Sequence, residues 1–193
     1  MLSNDAQDII FRTARSHSNW QDKDVTNEKL MQLYELMKWG PTSANCLPGR
    51  FLFLRSDQAK QRLKPCLAEG NITKSMTAPV VIVFAMDLEF YEHLPVLFPH
   101  TDAKSWFEGN ETKIQETAKR DSTLQAAYML IAARSLGLDC GPMSGFDNEK
   151  LDAEFFPDGK VKSNFICALG YGITEKLHPR GPRLSFSETC EIQ

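Results

Sequence analysis

The sequence predicts a single domain, residues 1–193, in which strands alternate with helices as in an α/β or α+β sandwich. Its length of 193 residues fits one domain of roughly 100–200 residues with room for a hydrophobic core. The apolar run Pro79–Met86 is dense in β-branched residues and is typical of an interior strand in a covered sheet. The apolar stretch 124–133 favours a helix that must be covered on every side, by its own core or by a partner subunit.

The N-terminal half alternates helices and strands. Apolar residues at helical spacing predict a short amphipathic helix from Asp5 to about His17. Thr26 is a candidate N-cap for a second helix, which Gly40-Pro41 ends. Phe51–Leu54 is a candidate strand, and a charged helix is expected from about Asp57 to Leu67.

The C-terminal half contains the longest predicted helix, which runs from Ile114 to Leu136 and ends at Gly137. The preceding segment, Leu88–Phe107, is irregular and rich in aromatic residues, and we expect most of these to pack in a lid or against a partner. The elements expected after the helix are a helix near Asp147–Phe156, a strand near Asn164–Gly170 and an extended tail with Pro179 and Pro182.

Composition and charge exclude several classes of protein. A net charge of −3 provides no global cationic field for nucleic acid or anionic lipid. The N-terminus has no basic leader, and the longest apolar run is far shorter than the roughly 20 residues that a membrane helix needs. Five cysteines without a C-x-x-C pair favour reduced thiols, and the four histidines have no metal-site spacing. We therefore expect a cytoplasmic protein that binds no metal, nucleic acid or membrane.

Motifs of several familiar catalytic sites are missing. Gly170-Tyr171-Gly172 lacks the third glycine of a dinucleotide fingerprint, and no phosphate-binding P-loop occurs. Pro142 occupies the place of the first glycine that a nucleophile elbow around Ser144 needs. An enzyme without these motifs can take its chemistry from a bound cofactor, so no catalytic side chain is predicted.

The segment Gly40–Asn45 is the most informative part of the sequence. Glycine and proline end a helix there, and small residues leave a backbone that a flat ring can approach closely. Ser43 and Asn45 add hydrogen-bond donors and acceptors. The same residues also fit an ordinary polar loop, in which Ser43 and Asn45 only satisfy local backbone groups. Taken alone, this segment leaves both interpretations open.

Five segments, in the correct order, resemble the motifs of the FMN-dependent nitroreductase family. Pro41-Thr42-Ser43-Ala44-Asn45 resembles its P-[ST]-[SA]-x-N stretch, and Pro142–Asp147 resembles its P-[IM]-x-G-F-D loop. The other three segments are Arg15-Ser16 with the adjoining His17, Asn71 with Lys74, and Arg180 with Arg183. Together the five cover nearly the whole chain, which is identified on them as a member of this family.

The resemblance implies a nitroreductase-like α+β fold, with a central, mostly antiparallel sheet flanked by helices, in an intertwined homodimer. FMN is then expected at the dimer interface, with the chemistry on its N5 atom and NADH or NADPH as electron donor. The residues that the resemblance places at the flavin are Arg15, Ser16, His17, Pro41, Thr42, Ser43, Asn45, Asn71, Lys74, Pro142, Met143, Ser144, Gly145, Arg180 and Arg183.

Each group of these residues has an implied role. Ser16 and the arginines near both chain ends hold the FMN phosphate, while Asn71 and Lys74 lie near the polar ring edge and the ribityl chain. Backbone amides of the 142–147 loop approach the flavin N5. The 41–45 segment comes from one chain and the phosphate ligands from the other. Without a flavin, Arg15, Arg183 and Lys74 would be ordinary solvated side chains.

Three stretches resemble a narrower branch of the family, the RutE-type malonic semialdehyde reductases of pyrimidine catabolism. These are Leu36–Cys46, Phe90–His100 and Gly141–Asp147. Leu47 and Gly49 depart from broad nitroreductases, in which glutamine and tryptophan are common at these positions. The expected reaction is therefore reduction of malonic semialdehyde to 3-hydroxypropionate. Reduction of nitro, quinone or enone compounds is one alternative, and flavin binding without turnover is another.

Overall fold

The computed structural model describes residues 1–193, the whole sequence. Its centre is a four-stranded sheet with the strand order β1-β2-β4-β3. The strands are β1 (Gly49–Leu54), β2 (Val80–Asp87), β3 (Asp139–Met143) and β4 (Val161–Gly170). Every pairing is antiparallel, so the sheet confirms the expected α+β architecture.

Eight helices surround the sheet. They are α1 (Asn4–Gln7), α2 (Asn27–Met37), α3 (Asp57–Leu63), α4 (Glu69–Met76), α5 (Leu94–Leu97), α6 (Glu111–Ser135), α7 (Asn148–Phe155) and α8 (Phe186–Thr189). The helix α1 continues into a π-helical turn, Asp8–Arg12. None of the helices combines the length and the apolar character needed to cross a membrane.

Strand β2 is buried on both faces and separates two hydrophobic cores. Successive side chains of a strand point to opposite faces, so Ile82 and Phe84 pack with α2 and α6, while Val81 and Val83 pack with the end of α3 and with α7. Cover on both faces explains why the sequence of this strand is apolar without alternation. The predicted interior strand is therefore confirmed.

The helix α6 spans 25 residues and is the longest element of the chain. Its N-cap, Asn110, accepts a hydrogen bond from the Lys113 N–H at 3.1 Å, and Gly137, with a φ of +74°, follows its C-terminal end. The helix was predicted to within one turn at each end. It is not covered on every side within one chain, because Leu124 and Tyr128 are 42% and 40% exposed.

The aromatic segment Leu88–Phe107 is more regular than predicted. It folds into two 3₁₀ turns, Phe90–His93 and Lys104–Trp106, with α5 between them. The ring of Phe90 is fully buried, 4.9 Å from that of Phe107, in a third small core. Turns of three or four residues are too short to leave a helical period in the sequence, which is why the segment looked irregular.

Four further elements differ from the sequence prediction. The first helix ends at Arg12 rather than near His17. Strand β3 was not predicted because it contains Pro142, which a sheet tolerates here because β3 is an edge strand. The helix α4 was also missed, because Gly70 lies in its first turn and no side chain caps its N-terminus. The tail contains the short helix α8.

Replacing Phe84 by alanine should lower the free energy of unfolding by about 3–5 kcal/mol. Its ring is 1% exposed and contacts the rings of Phe51 and Phe165, so the variant leaves a cavity between strands and helices. Urea denaturation followed by circular dichroism measures the loss. The control is Phe186→Ala in the tail, where the side chain is 62% exposed. Equal losses in the two variants would contradict the assignment of the core.

Candidate functional site

The N-terminal loop lies against the edge strand β3. Ser16 forms a parallel bridge with Cys140, and the His17 N–H donates a hydrogen bond to the Cys140 carbonyl at 2.9 Å. The His17 carbonyl lies so close to Gly141 that any side chain at position 141 would collide with it. Ser16 is exposed beside this contact, so its hydroxyl faces the surface next to β3.

Arginines from both ends of the chain meet at this loop. The Arg15 guanidinium donates to the His178 carbonyl at 2.5 Å, and the Arg180 guanidinium donates to the Ala14 carbonyl at 2.8 Å. Neither arginine forms an ion pair, although both lie at one place on the surface. Arg183 donates to the carbonyls of Gly181 and Pro182 in its own tail, and no hydrogen bond joins it to Arg15 or to the N-terminal loop.

The helix α4 lies on the other side of the same surface. The Asn71 side chain donates to the Gly145 carbonyl at 2.7 Å, and the Trp20 indole N–H donates to the Lys74 carbonyl at 2.9 Å. These bonds connect α4 to the loop after β3 and to the N-terminal loop. The Lys74 side chain is half-buried and forms no ion pair.

The loop after β3 presents its backbone to this surface. Pro142 and Ser144 are exposed, whereas the Met143 side chain is buried, with its sulfur 3.8 Å from the Ser75 hydroxyl. A Cβ atom at Gly145 would lie 2.6 Å from the Asn71 side-chain nitrogen, so any larger residue there would displace the Asn71 amide. We call the surface formed by Arg15–His17, Asn71, Lys74, Pro142–Gly145 and Arg180 the first half-site.

The imidazole of His17 is buried behind the exposed residues of the first half-site. It is buried against Gly172, and its Nε2 atom lies 3.4 Å from the Asp139 carboxylate, which also accepts the Gly172 N–H at 2.8 Å. Its Nδ1 atom is buried and has no hydrogen-bond partner. The ring therefore joins the N-terminal loop to β3 and to the end of β4. Sequence reasoning missed Asp139, since nothing in its local motif distinguishes it.

The segment Pro41–Asn45, the second half-site, has an unusual backbone. Ala44 and Asn45 have φ angles of +49° and +51°, in the left-handed region that side chains other than glycine rarely adopt. The Asn45 side chain donates to the Leu97 carbonyl of α5 at 3.0 Å. Ser43 and Asn45 are both exposed. Gly40 lies against the Tyr128 ring, too close for any side chain at position 40.

Two side chains of α6 bind this segment and the start of β1 that follows it. The Asp121 carboxylate accepts hydrogen bonds from the N–H and the hydroxyl of Ser43, at 3.0 and 3.3 Å. One turn further along α6, the Gln125 side-chain oxygen accepts the Gly49 N–H at 2.7 Å. Sequence reasoning missed both residues. Gln125 is a polar residue in the apolar second half of α6, whereas Asp121 lies among charged and polar residues and had no local signal.

Cys46 lies directly behind the second half-site. Burial is the main cause that raises the pKa of the Cys46 thiol to about 12, and the adjacent Asp121 carboxylate adds to the effect. The thiol therefore keeps its proton at neutral pH and lies 3.7 Å from the Asp121 carboxylate, to which it donates. A neutral buried thiol is a poor nucleophile, so Cys46 belongs to the support of the loop and not to the chemistry.

Within one chain, the two half-sites lie at opposite edges of the sheet, since the first adjoins β3 and the second leads into β1. The first is built on β3, α4 and the chain ends, and the second on α5 and α6. No hydrogen bond or ion pair joins them. Large apolar side chains are exposed around the second half-site and on the neighbouring faces of α2 and α6. They include Leu36, Trp39, Leu124 and Tyr128.

A groove of about 1030 Å³ opens beside the second half-site, between α2 and β1. Leu47, Gly49 and the aromatic rings of β1 line it. Its cations are paired: Lys38 with Glu35, Arg50 with Asp87, and Arg55 with Asp24. The groove is therefore apolar, with its charges largely neutralised.

Comparisons with known proteins agree on one family. The sequence model described as the nitroreductase family matches residues 11–172. A relative from Burkholderia lata, provisionally named an NADH dehydrogenase/NAD(P)H nitroreductase, is 54% identical over 192 residues, which cover 100% of this chain and 98% of the relative.

Solved structures agree on the fold. A provisionally named nitroreductase from Bacillus subtilis superposes with a TM-score of 0.88 at 23% identity, over 95% of this chain and 97% of that chain. Another, from Exiguobacterium sibiricum and solved in complex with FMN, has a TM-score of 0.87 at 19% identity, over 100% and 99% of the two chains. At these identities the two structures establish a shared fold.

Thiol titration should separate Cys190 from the other four cysteines. Cys190 is exposed, whereas Cys46, Cys66, Cys140 and Cys167 are buried. The native protein should therefore expose one reactive thiol per chain to Ellman's reagent at pH 8, and five after denaturation. The raised pKa of Cys46 means that pH 9.5 should not recruit it. Cys190→Ser should abolish the native reaction, and a second fast-reacting thiol would contradict this assignment.

Proposed function

Because the chain belongs to the nitroreductase family, we propose that it is an FMN-dependent NAD(P)H oxidoreductase whose two half-sites combine in a homodimer. The observation that carries the proposal is the first half-site, where Arg15 and Arg180 meet at one loop without forming any ion pair. In a chain with a net charge of −3, unpaired cations in one place are suited to an anionic ligand.

The residues present fit FMN. Arg15 and Arg180, with the exposed Ser16 hydroxyl, would hold a dianionic phosphate, because each guanidinium has N–H groups beyond the one used for a carbonyl. Lys74 would stabilise a ring that becomes negative on reduction. The loop Pro142–Gly145 offers backbone without bulky side chains in the way. We also propose that Arg183 and the other residues predicted at the flavin, among them His17 and Met143, contact FMN.

Separation of the half-sites supports the dimer. If one flavin contacts both, the segment Pro41–Asn45 has to come from a second copy of the chain. The exposed apolar residues around that segment, Leu36, Trp39, Leu124 and Tyr128, are of the kind that a subunit interface covers. Burying them against a partner would also give α6 the cover that its sequence predicts.

Bound FMN would supply the chemistry, which is hydride transfer from NADH or NADPH to an acceptor. The protein's own contribution is to position and to tune. Asn71, fixed by the Gly145 carbonyl, holds α4 at a constant distance from the loop after β3. Orientation of two reactants can lower a barrier by roughly 7–11 kcal/mol without a catalytic side chain. This accounts for a site with no acid–base pair.

We propose malonic semialdehyde as the acceptor, with 3-hydroxypropionate as the product in pyrimidine degradation. The aldehyde carbon gains a hydride and its oxygen gains a proton from solvent or a nearby donor. The likeness of three stretches to malonic semialdehyde reductases supports this choice, as do the small or aliphatic residues Leu47 and Gly49. The second candidate is reduction of nitro, quinone or enone compounds, and the names of the relatives favour the nitro compounds among these.

Purified protein should be yellow, release FMN on denaturation and behave as a dimer of the 21.8 kDa chain in light scattering. Steady-state rates should then be measured with malonic semialdehyde and with a nitroaromatic compound, under NADH and under NADPH. We expect kcat/KM to be about tenfold or more higher for the aldehyde. A higher value for the nitroaromatic favours the second candidate. Flavin without turnover points to a flavin-binding protein, and a colourless protein that takes up no FMN refutes the proposal.

Replacing Arg15 by glutamine should raise the Kd for FMN by about tenfold to a hundredfold, because it removes a charge-assisted hydrogen bond to phosphate. Arg180→Gln should act in the same direction. Fluorescence titration of the apoprotein with FMN measures both. The control is Arg12→Gln, since Arg12 is a nearby exposed arginine that already pairs with Asp8. A wild-type Kd in Arg15→Gln would refute its role at the phosphate.

A further inference from the structure

We infer that Asp121 is a positioning residue for the flavin site: its carboxylate fixes the backbone of the second half-site and the direction of the Ser43 hydroxyl. The inference rests on the proposed function, because it assumes that FMN lies against Pro41–Asn45. Asp121 itself would not touch the cofactor.

Burial makes Asp121 unusual. Its side chain is 1% exposed in the middle of α6, and it forms no ion pair with any cation. A buried carboxylate without a cation is costly unless hydrogen bonds replace its hydration. All the bonds it receives come from one short stretch: the Ser43 N–H at 3.0 Å, the Ser43 hydroxyl at 3.3 Å and the Cys46 thiol at 3.7 Å. A residue whose only role is packing would be apolar at this position. We therefore infer that the carboxylate is there to bind the stretch from Ser43 to Cys46.

The backbone of the stretch needs such support. Ala44, Asn45 and Leu47 have φ angles of +49°, +51° and +41°. Each of these left-handed conformations costs free energy for a residue with a side chain, and it persists only where the surroundings hold it. Asp121 holds the start of the stretch and Gln125, one turn along α6, holds its end at Gly49. One rigid helix therefore sets the shape of the loop at two points.

The carboxylate also determines which hydrogen-bonding groups the loop presents to a ligand. An ionised carboxylate is only an acceptor, so the Ser43 hydroxyl points its proton at Asp121 and keeps its lone pairs free. The Asn45 amide donates inward as well, to the Leu97 carbonyl, which leaves its oxygen free. The side chains of Ser43 and Asn45 are both exposed, yet each uses a hydrogen-bond donor on a group of the protein. The loop is therefore built to accept hydrogen bonds from ligand N–H or O–H groups, such as the imide and hydroxyl groups of FMN.

The test is Asp121→Asn, which keeps the shape but replaces one acceptor oxygen by an NH₂ donor. Fluorescence titration with FMN should show a Kd about tenfold higher than that of the wild type. The absorption spectrum of bound FMN should shift, and KM should change more than kcat. Glu116→Gln, an exposed acid of the same helix, is the matched control and should leave the Kd unchanged.

A double-mutant cycle with Ser43→Ala tests whether Asp121 acts through Ser43. Ser43→Ala should weaken FMN binding by itself, and the double variant should lose less than the sum of the two single losses, because both single variants disturb the bond from the Ser43 hydroxyl to Asp121. Additive losses, or a wild-type Kd and spectrum in folded Asp121→Asn, would overturn the inference. If Asp121→Asn does not fold by circular dichroism, Ser43→Ala still decides, because unchanged FMN binding by this exposed variant overturns it. Failure of the wild-type protein to bind FMN would instead refute the proposed function.

Discussion

The packing of α6 across β2 is the contact on which the rest of the structure depends. One face of α6 buries Ala126 and Met129 against Ile82 and Phe84, which fixes the helix on the sheet. The same helix then carries Asp121 to the strained loop behind which Cys46 is buried. The helix α6 therefore contributes both to the stability of the fold and to the geometry of the second half-site. Disturbing the core under α6 should therefore also displace the support of the second half-site.

The two half-sites are held by different means. The first is a convergence of chain segments that are distant in sequence: a backbone hydrogen bond joins the N-terminal loop to β3, and arginine side chains join that loop to the tail. Its functional groups are cations without ion-pair partners. The second is a single short loop whose conformation is imposed from outside by α6. This difference suits a site in which one part binds a charged group and the other forms a wall against a flat ring.

Much of the fold could be read from the sequence because its signals are local. Thr26 does accept a hydrogen bond from the Lys29 N–H as an N-cap, and β2 lies where an apolar run placed it. Strand β3 could not be read, because Pro142 is acceptable only at an edge, and edge position is a property of the assembled sheet. The motif segments identified the family, whereas Asp121 and Asp139 were invisible, since each matters through residues far away in the chain.

The separation of the half-sites has a genetic consequence, if each flavin site is shared between two chains. A chain damaged at Arg15 keeps an intact Pro41–Asn45 segment, and a chain damaged at Ser43 keeps an intact first half-site. A heterodimer of the two unites both defects in one of its sites and leaves the other site entirely wild type. Two alleles that are each inactive alone could therefore restore growth when they are expressed in the same cell.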